Sequence, residues 1–89
     1  MRTLETITLL NNTLEYIERN LDAELNIDDI SKAACSSRYH FQRVFYALTG
    51  FTVTQYIKNR RLTLAAEELV ATDKRVIDIA LKYGYENPE

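Results

Sequence analysis

Residues 26–50 read NIDDISKAACSSRYHFQRVFYALTG. This stretch decides the fold, because it holds two helices and the signals that separate them. Asn26 is placed as an N-cap, its side-chain oxygen accepting a backbone N–H of the following turn. Asp28 and Asp29 then sit at the positive end of the helix dipole. The helix they open is short, Ile27 to about Ala34, and is expected to bury Ile27, Ile30 and the Ala33/Ala34 pair. Ser36-Ser37 interrupts it. Ser37 is a second N-cap, for a helix from Arg38 to about Thr49, and Gly50 is its C-cap. Cys35 falls in the tight turn between the two helices, where a small buried hydrophobe is expected.

The helix after Ser37 has two chemically different faces. At 100° per residue, Phe41, Val44, Phe45 and Leu48 form one stripe, the side expected to face a core. Tyr39, Gln42, Arg43 and Tyr46 form the other, which carries a planar amide, a guanidinium and two phenols but no carboxylate and no Lys. Such groups suit a DNA major groove. Arg donates two bonds to guanine O6 and N7, and Gln pairs with adenine N6 and N7. A groove-reading helix contacts bases with its first turns, where Tyr39, Gln42 and Arg43 lie. The helix N-terminus near Ser37 offers N–H groups to a phosphate. A second reading stays open at this point. Tyr39 and Tyr46 also suit a cover for another helix or a protein interface, where Tyr and Arg are common.

Working outward, Leu4, Ile7, Leu10, Leu14, Ile17 and Leu21 recur every three or four residues, the pattern of an amphipathic helix fading around Asn20 to Ala23. After Gly50, Thr52 and Gln55 form a capping box for a helix of about twenty residues through Thr72. Val53, Tyr56, Ile57, Leu62, Ala65, Ala66 and Leu69 are its apolar positions. Asp73-Lys74-Arg75 breaks it. Val76, Ile77, Ile79, Ala80 and Tyr83 make a fifth, short helix stopped by Gly84. Asn87-Pro88 is one more start signal, an N-cap followed by Pro at the first helical position. The fold class is therefore all-α. A faint repeat relates Ile27–Ser37 to Ile77–Asn87: a short apolar helix, a turn on small residues, then a polar cap.

Composition limits the alternatives. A chain of 89 residues is one small domain or part of one. Apolar residues make up 46% and charged residues 27%, the balance of a globular protein. Two Gly and one Pro are too few for an all-β domain of this length. One Cys excludes an internal disulfide, and one His beside it leaves no metal set of known spacing, so neither metal nor cofactor is expected. The longest apolar run, Val44 to Leu48, is too short for a membrane, and no secretory leader pattern opens the sequence; a cytoplasmic setting is expected. With no acid pair, phosphate loop or nucleophile–base set, the expectation is not an enzyme.

The net charge of −2 conceals a segregation. Residues 1–29 carry a net −5, residues 30–66 a net +6 without one acid, and residues 67–89 a net −3. The acid-free window contains Lys32, Arg38, Arg43, Lys58, Arg60 and Arg61. Opposed charge blocks act through local fields, and net charge says little about them. Lys58, Arg60 and Arg61 read equally as a solvated helix face or as an edge contacting phosphates. His40 lies between the two faces of its helix, as a structural or phosphate-adjacent group, since no nucleophile or acid pairs with it.

A set of segments carries a family resemblance. They are Tyr16-Ile17-Glu18-x-Asn20-Leu21, Ile27-x-x-Ile30, Tyr39-His40-Phe41-Gln42-Arg43-Val44-Phe45 and Thr49-Gly50. Gln55-Tyr56-Ile57, Arg60-Arg61-Leu62, Ala65-Ala66-x-x-Leu69 and Ile77-x-Ile79-Ala80-x-x-Tyr83-Gly84-Tyr85 follow in order. Together they resemble the DNA-binding domain of AraC/XylS-type transcription activators, nearest the MarA/Rob-like subgroup of small stress and multidrug-response members. The resemblance covers about Leu4 to Glu89, and its specificity lies in the ordered spacing.

It implies two helix-turn-helix subdomains (homeodomain-like three-helix units) joined by a linker helix, each reading one major-groove segment of double-stranded DNA. On this chain that gives residues 1–50 as the first subdomain, 51–73 as the linker and 74–89 as an incomplete second subdomain. The implied base-reading residues are Tyr39, Gln42 and Arg43. Ser37, Arg38, His40, Tyr46, Lys58, Arg60 and Arg61 are expected at or near the DNA backbone. The resemblance also implies contact with RNA polymerase. Measured against it, the sequence stops as a second recognition helix begins, so a piece of a longer regulator is expected. An alternative is a helical protein-interaction module that self-associates through apolar residues of the fifth helix, Ile77 and Tyr85 among them.

Overall fold

The computed structural model describes residues 3–85. Its described residues form five helices: α1 (Thr3–Arg19), α2 (Ile27–Ala33), α3 (Arg38–Thr49), α4 (Val53–Ala71) and α5 (Val76–Lys82). The Asn87-Pro88 start signal lies outside the described residues. Each local signal near the turns is realised. Asn26 Oδ1 accepts the Asp29 N–H at 2.9 Å, and Ser37 Oγ accepts the His40 N–H at 3.2 Å. Thr52 and Gln55 exchange side-chain bonds with each other's backbone N–H at 3.0 and 3.1 Å. Between α3 and α4, Gly50 is left-handed at φ 78° and its N–H returns to the Tyr46 carbonyl. The Thr49 hydroxyl also accepts the Phe51 N–H, which tightens this corner.

The main core gathers Leu9, Ile17, Leu21, Ile30, Ala34, Phe41, Phe45 and Val53 from α1 to the start of α4. Phe41 and Phe45 are its largest fully buried side chains, and each burial is worth about 1.5–3 kcal/mol. The Phe45 ring meets Tyr56 of α4 edge-on at 5.6 Å, which ties α4 to α3. A second, smaller cluster of Ala65, Ile79 and Tyr83, with Leu64 and Tyr85 beside it, joins the far end of α4 to α5.

Several expected core positions move. In α1 the buried line is Leu9, Thr13 and Ile17, while Leu10 and Leu14 flank it and Leu4 and Ile7 are exposed. Thr13 can sit at the centre because its hydroxyl donates to the Leu9 carbonyl at 2.8 Å, so no polar group is orphaned. In α2, Ser31 is buried beside Ile30, its hydroxyl satisfied by the Asp28 carbonyl. Leu48 of α3, Leu62 and Leu69 of α4 and Ile77 of α5 are exposed rather than buried.

The turn after α2 corrects the expectation for Cys35. The residue is exposed, and it adopts φ 54°, the only non-Gly residue with positive φ among those described. The reason is a Schellman ending: the Cys35 N–H bonds to the Lys32 carbonyl and the Ser36 N–H to the Ser31 carbonyl, both at 3.0 Å. The left-handed position turns the Cys35 side chain outward. α5 ends the same way. The Gly84 N–H bonds to the Leu81 carbonyl, the Tyr85 N–H to the Ala80 carbonyl, and Gly84 has φ 83°. The repeat seen faintly in sequence is therefore a repeated backbone, with Cys35 and Gly84 in equivalent places and Ile30 and Ile79 both buried ahead of them.

Candidate nucleic-acid interface

α3 is fixed from both ends. Ser37 caps its first turn, Gly50 closes its last, and Phe41 and Phe45 anchor its inner side. The opposite face is therefore presented with a defined rotation. Tyr39 is 69% exposed and Tyr46 57%, and Gln42 and Arg43 are exposed between them.

The face is one wall of an open groove of about 530 Å³, and the other wall is Thr52, Val53 and Thr54 at the start of α4. Those threonines carry no charge and no periodic signal, so sequence reading missed them. Only the sharp turn at Gly50 brings them beside α3. No acidic side chain lines the groove. Within it Arg43 Nη1 donates to the Tyr39 hydroxyl at 3.3 Å, and the guanidinium carbon lies 5.4 Å from the Tyr39 ring centre.

The remaining expected residues divide. Ser37 spends its oxygen on the cap, leaving its O–H to donate, and His40 is half-buried in the first turn. Arg38 pairs loosely with Asp28 at 3.6 Å, both side chains well exposed, a contact worth little in water. Lys58 is exposed, one turn beyond Thr54 on α4. Arg60 and Arg61 face elsewhere. Arg60 makes a two-pronged bond to Glu18 of α1, Nη2 to Oε1 at 2.8 Å and Nε to Oε2 at 3.1 Å. Arg61 donates to the carbonyls of Leu21 and Ala23 at 3.0 and 2.6 Å, in the turn that follows α1. These two guanidinium groups fasten α4 to the end of α1 and the turn after it.

At the far end of α4, Glu68 gathers three partners. It accepts from Lys82 Nζ at 2.5 Å and the Tyr83 hydroxyl at 2.6 Å, with Lys74 Nζ at 3.5 Å. The Lys82 and Tyr83 hydrogen bonds hold its carboxyl well below the usual range, at about 2. This cluster docks α5, away from the α3 groove.

A capped short helix, a Schellman turn and a second helix with an exposed polar-aromatic face make a helix-turn-helix. The family model described as "Helix-turn-helix domain" matches residues 30–89. A crystal structure of a Chromobacterium violaceum transcriptional regulator with an AraC-type DNA-binding domain superposes with a TM-score of 0.84 at 28% identity, over 89% of this chain and 70% of that one.

The chain belongs to the AraC-type helix-turn-helix family.

Two curated relatives agree. The Transposon Tn10 TetD protein of Escherichia coli is 43% identical over 92% of this AraC-type chain and 59% of its own length. The HTH-type transcriptional activator AarP of Providencia stuartii is 39% identical over 92% of this chain and 61% of its own. The chain thus spans about 60% of the length of these relatives. Among the described residues no helix is long and apolar enough to cross a membrane.

Proposed function

We propose that the chain is part of a sequence-specific transcription regulator, most simply an activator acting in the cytoplasm, that reads double-stranded DNA with α3. The single observation that carries this is the outward face of α3: Tyr39, Gln42, Arg43 and Tyr46 exposed together on a helix without acids. In this reading Gln42 and Arg43 bond to base edges and Tyr39 lies against bases or sugar. Ser37, Arg38, His40, Tyr46 and Lys58 touch the backbone and set the register. Arg60 and Arg61 are left out of the backbone contacts, because their guanidinium groups already hold Glu18 and two main-chain carbonyls. Residues 1–50 form the reading unit, 51–73 the linker and 74–89 belong to a second unit. The similarity to AarP, a transcriptional activator, favours activation, and an activator must meet RNA polymerase.

The test is Arg43→Ala, measured on a bound duplex and on its single-base variants at one salt concentration. The substitution should remove about 1–3 kcal/mol of discrimination at one base pair and leave the others unchanged. Equal weakening on every sequence would make Arg43 a phosphate contact and refute its base-reading role.

A second reading has its own observation. Val70, Val76 and Leu81 leave apolar side chains in solvent around α5, with Val70 90% exposed. A self-associating helical module would use them. Sedimentation over a range of concentrations separates the two ideas: association without salt-sensitive DNA binding favours the second.

A further inference from the structure

Three arginines among the described residues use their guanidinium groups in the same way. Arg60 and Arg75 each grip a carboxylate, and Arg61 two carbonyls, through the edge made by Nε and Nη2. That edge is the two-donor fork suited to paired acceptors. Arg43 differs. Its side-chain bond among the described residues runs from Nη1, the other side of the group, to the hydroxyl of Tyr39 one turn earlier, and the ring of the same tyrosine lies 5.4 Å from its guanidinium carbon. No carboxylate pairs with Arg43 among the described residues. Its Nε/Nη2 fork has no hydrogen-bond partner among the described residues, and Arg43 lines the groove between α3 and the start of α4.

We propose that Tyr39 is a positioning residue: its ring and hydroxyl hold Arg43 with the Nε/Nη2 fork free and facing outward, so that guanine discrimination by Arg43 depends on the Tyr39 hydroxyl. This rests on the base-reading role of Arg43 proposed above and deepens it. An exposed arginine samples many rotamers, and holding it in one before binding removes part of the ordering cost. A phenol suits this task at a DNA surface. It attracts the cation through ring and oxygen without the negative charge that would repel phosphate or occupy the fork. The hydroxyl accepts from Arg43 and keeps its own O–H to donate.

The experiment compares Tyr39→Phe, Arg43→Ala and the double variant. Each is titrated onto a duplex selected by the wild-type chain and onto its single-base variants. Tyr39→Phe keeps the ring and removes only the oxygen. It should lower discrimination about 3- to 10-fold at the base pair that Arg43→Ala affects and nowhere else, with no further effect when Arg43 is already Ala. Loss at a different base pair, additive effects in the double variant, or no loss would overturn the proposal. Arg43→Ala without effect on any base pair would refute the underlying reading, and this inference would fall with it. A DNA-independent arm uses nitrogen-15 relaxation of the Arg43 Nε–H in the free chain. Its order parameter should drop in Tyr39→Phe and stay unchanged in Tyr46→Phe. Equal mobility in wild type and Tyr39→Phe would overturn the proposal without DNA.

Discussion

Replacing Cys35 by Gly should stabilise the protein, although it removes atoms and creates no contact. Cys35 stands at φ 54° to complete the Schellman turn ahead of α3. For a residue with a Cβ, the left-handed region costs about 1–2 kcal/mol relative to right-handed helix. Gly avoids that cost but loses about 0.4–1 kcal/mol more chain entropy on folding. The difference leaves a net gain of about 0.5–1 kcal/mol for Cys35→Gly, since the thiol is exposed and gives up little packing. In a domain of this size that raises the melting midpoint by about 2–8 °C. Gly84 is the mirror control, because it holds the equivalent place after α5 at φ 83°. A Cβ built there lies no nearer than 3.7 Å to its closest neighbour, Arg61 Nη1, so Gly84→Ala tests backbone strain without a clash. It should cost about 1 kcal/mol. Urea unfolding of both variants and of Cys35→Ala decides the matter. If Cys35→Ala stabilises as much as Cys35→Gly, the gain comes from losing the thiol, and the strain argument is wrong.

Other perturbations probe separate parts of the fold. Arg61→Met keeps the aliphatic stem but removes both bonds to the turn after α1, and should cost about 2–3 kcal/mol in urea unfolding. A loss below about 0.5 kcal/mol would mean that water serves those carbonyls equally well. Lys58→Ala should weaken binding to all DNA sequences alike and flatten the plot of log affinity against log salt by about 0.9. An unchanged slope would remove Lys58 from the interface. The depressed Glu68 carboxyl stabilises the fold fully above its ordinary value of 4.5, and this contribution disappears as pH falls to about 2. Wild type should lose more stability over that interval than Glu68→Gln, and parallel unfolding curves would show that the cluster contributes nothing.

What could be read from sequence follows from the distance over which each interaction acts. The caps at Asn26, Ser37, Gly50 and Thr52 were legible because donor and acceptor lie within one helical turn. The exposed face of α3 was legible for the same reason: helical spacing alone places Tyr39, Gln42, Arg43 and Tyr46 together. The buried line of α1 was misread because Thr13 sits at its centre, and apolar counting passes over a threonine whose hydroxyl turns back to its own helix. Cys35 was misread because composition suggests burial for cysteine, while the turn geometry decided its direction. The bonds of Arg60 and Arg61 reach across about forty residues, from α4 to the end of α1, and no periodicity encodes such a partnership. They resemble surface charges until the helices are packed.

α4 joins the two apolar clusters without a break, from Val53 in one to Ala65 in the other. Its 19 residues span about 28 Å. An unbroken helix transmits angle as well as distance. Removing one exposed residue between Arg61 and Ala65 would shorten the path by about 1.5 Å and turn α5 by about 100° relative to α3. The number of residues in α4 is thus a phase setting. Its sequence can drift on the solvent side, while its length is fixed by the direction in which everything beyond it must face.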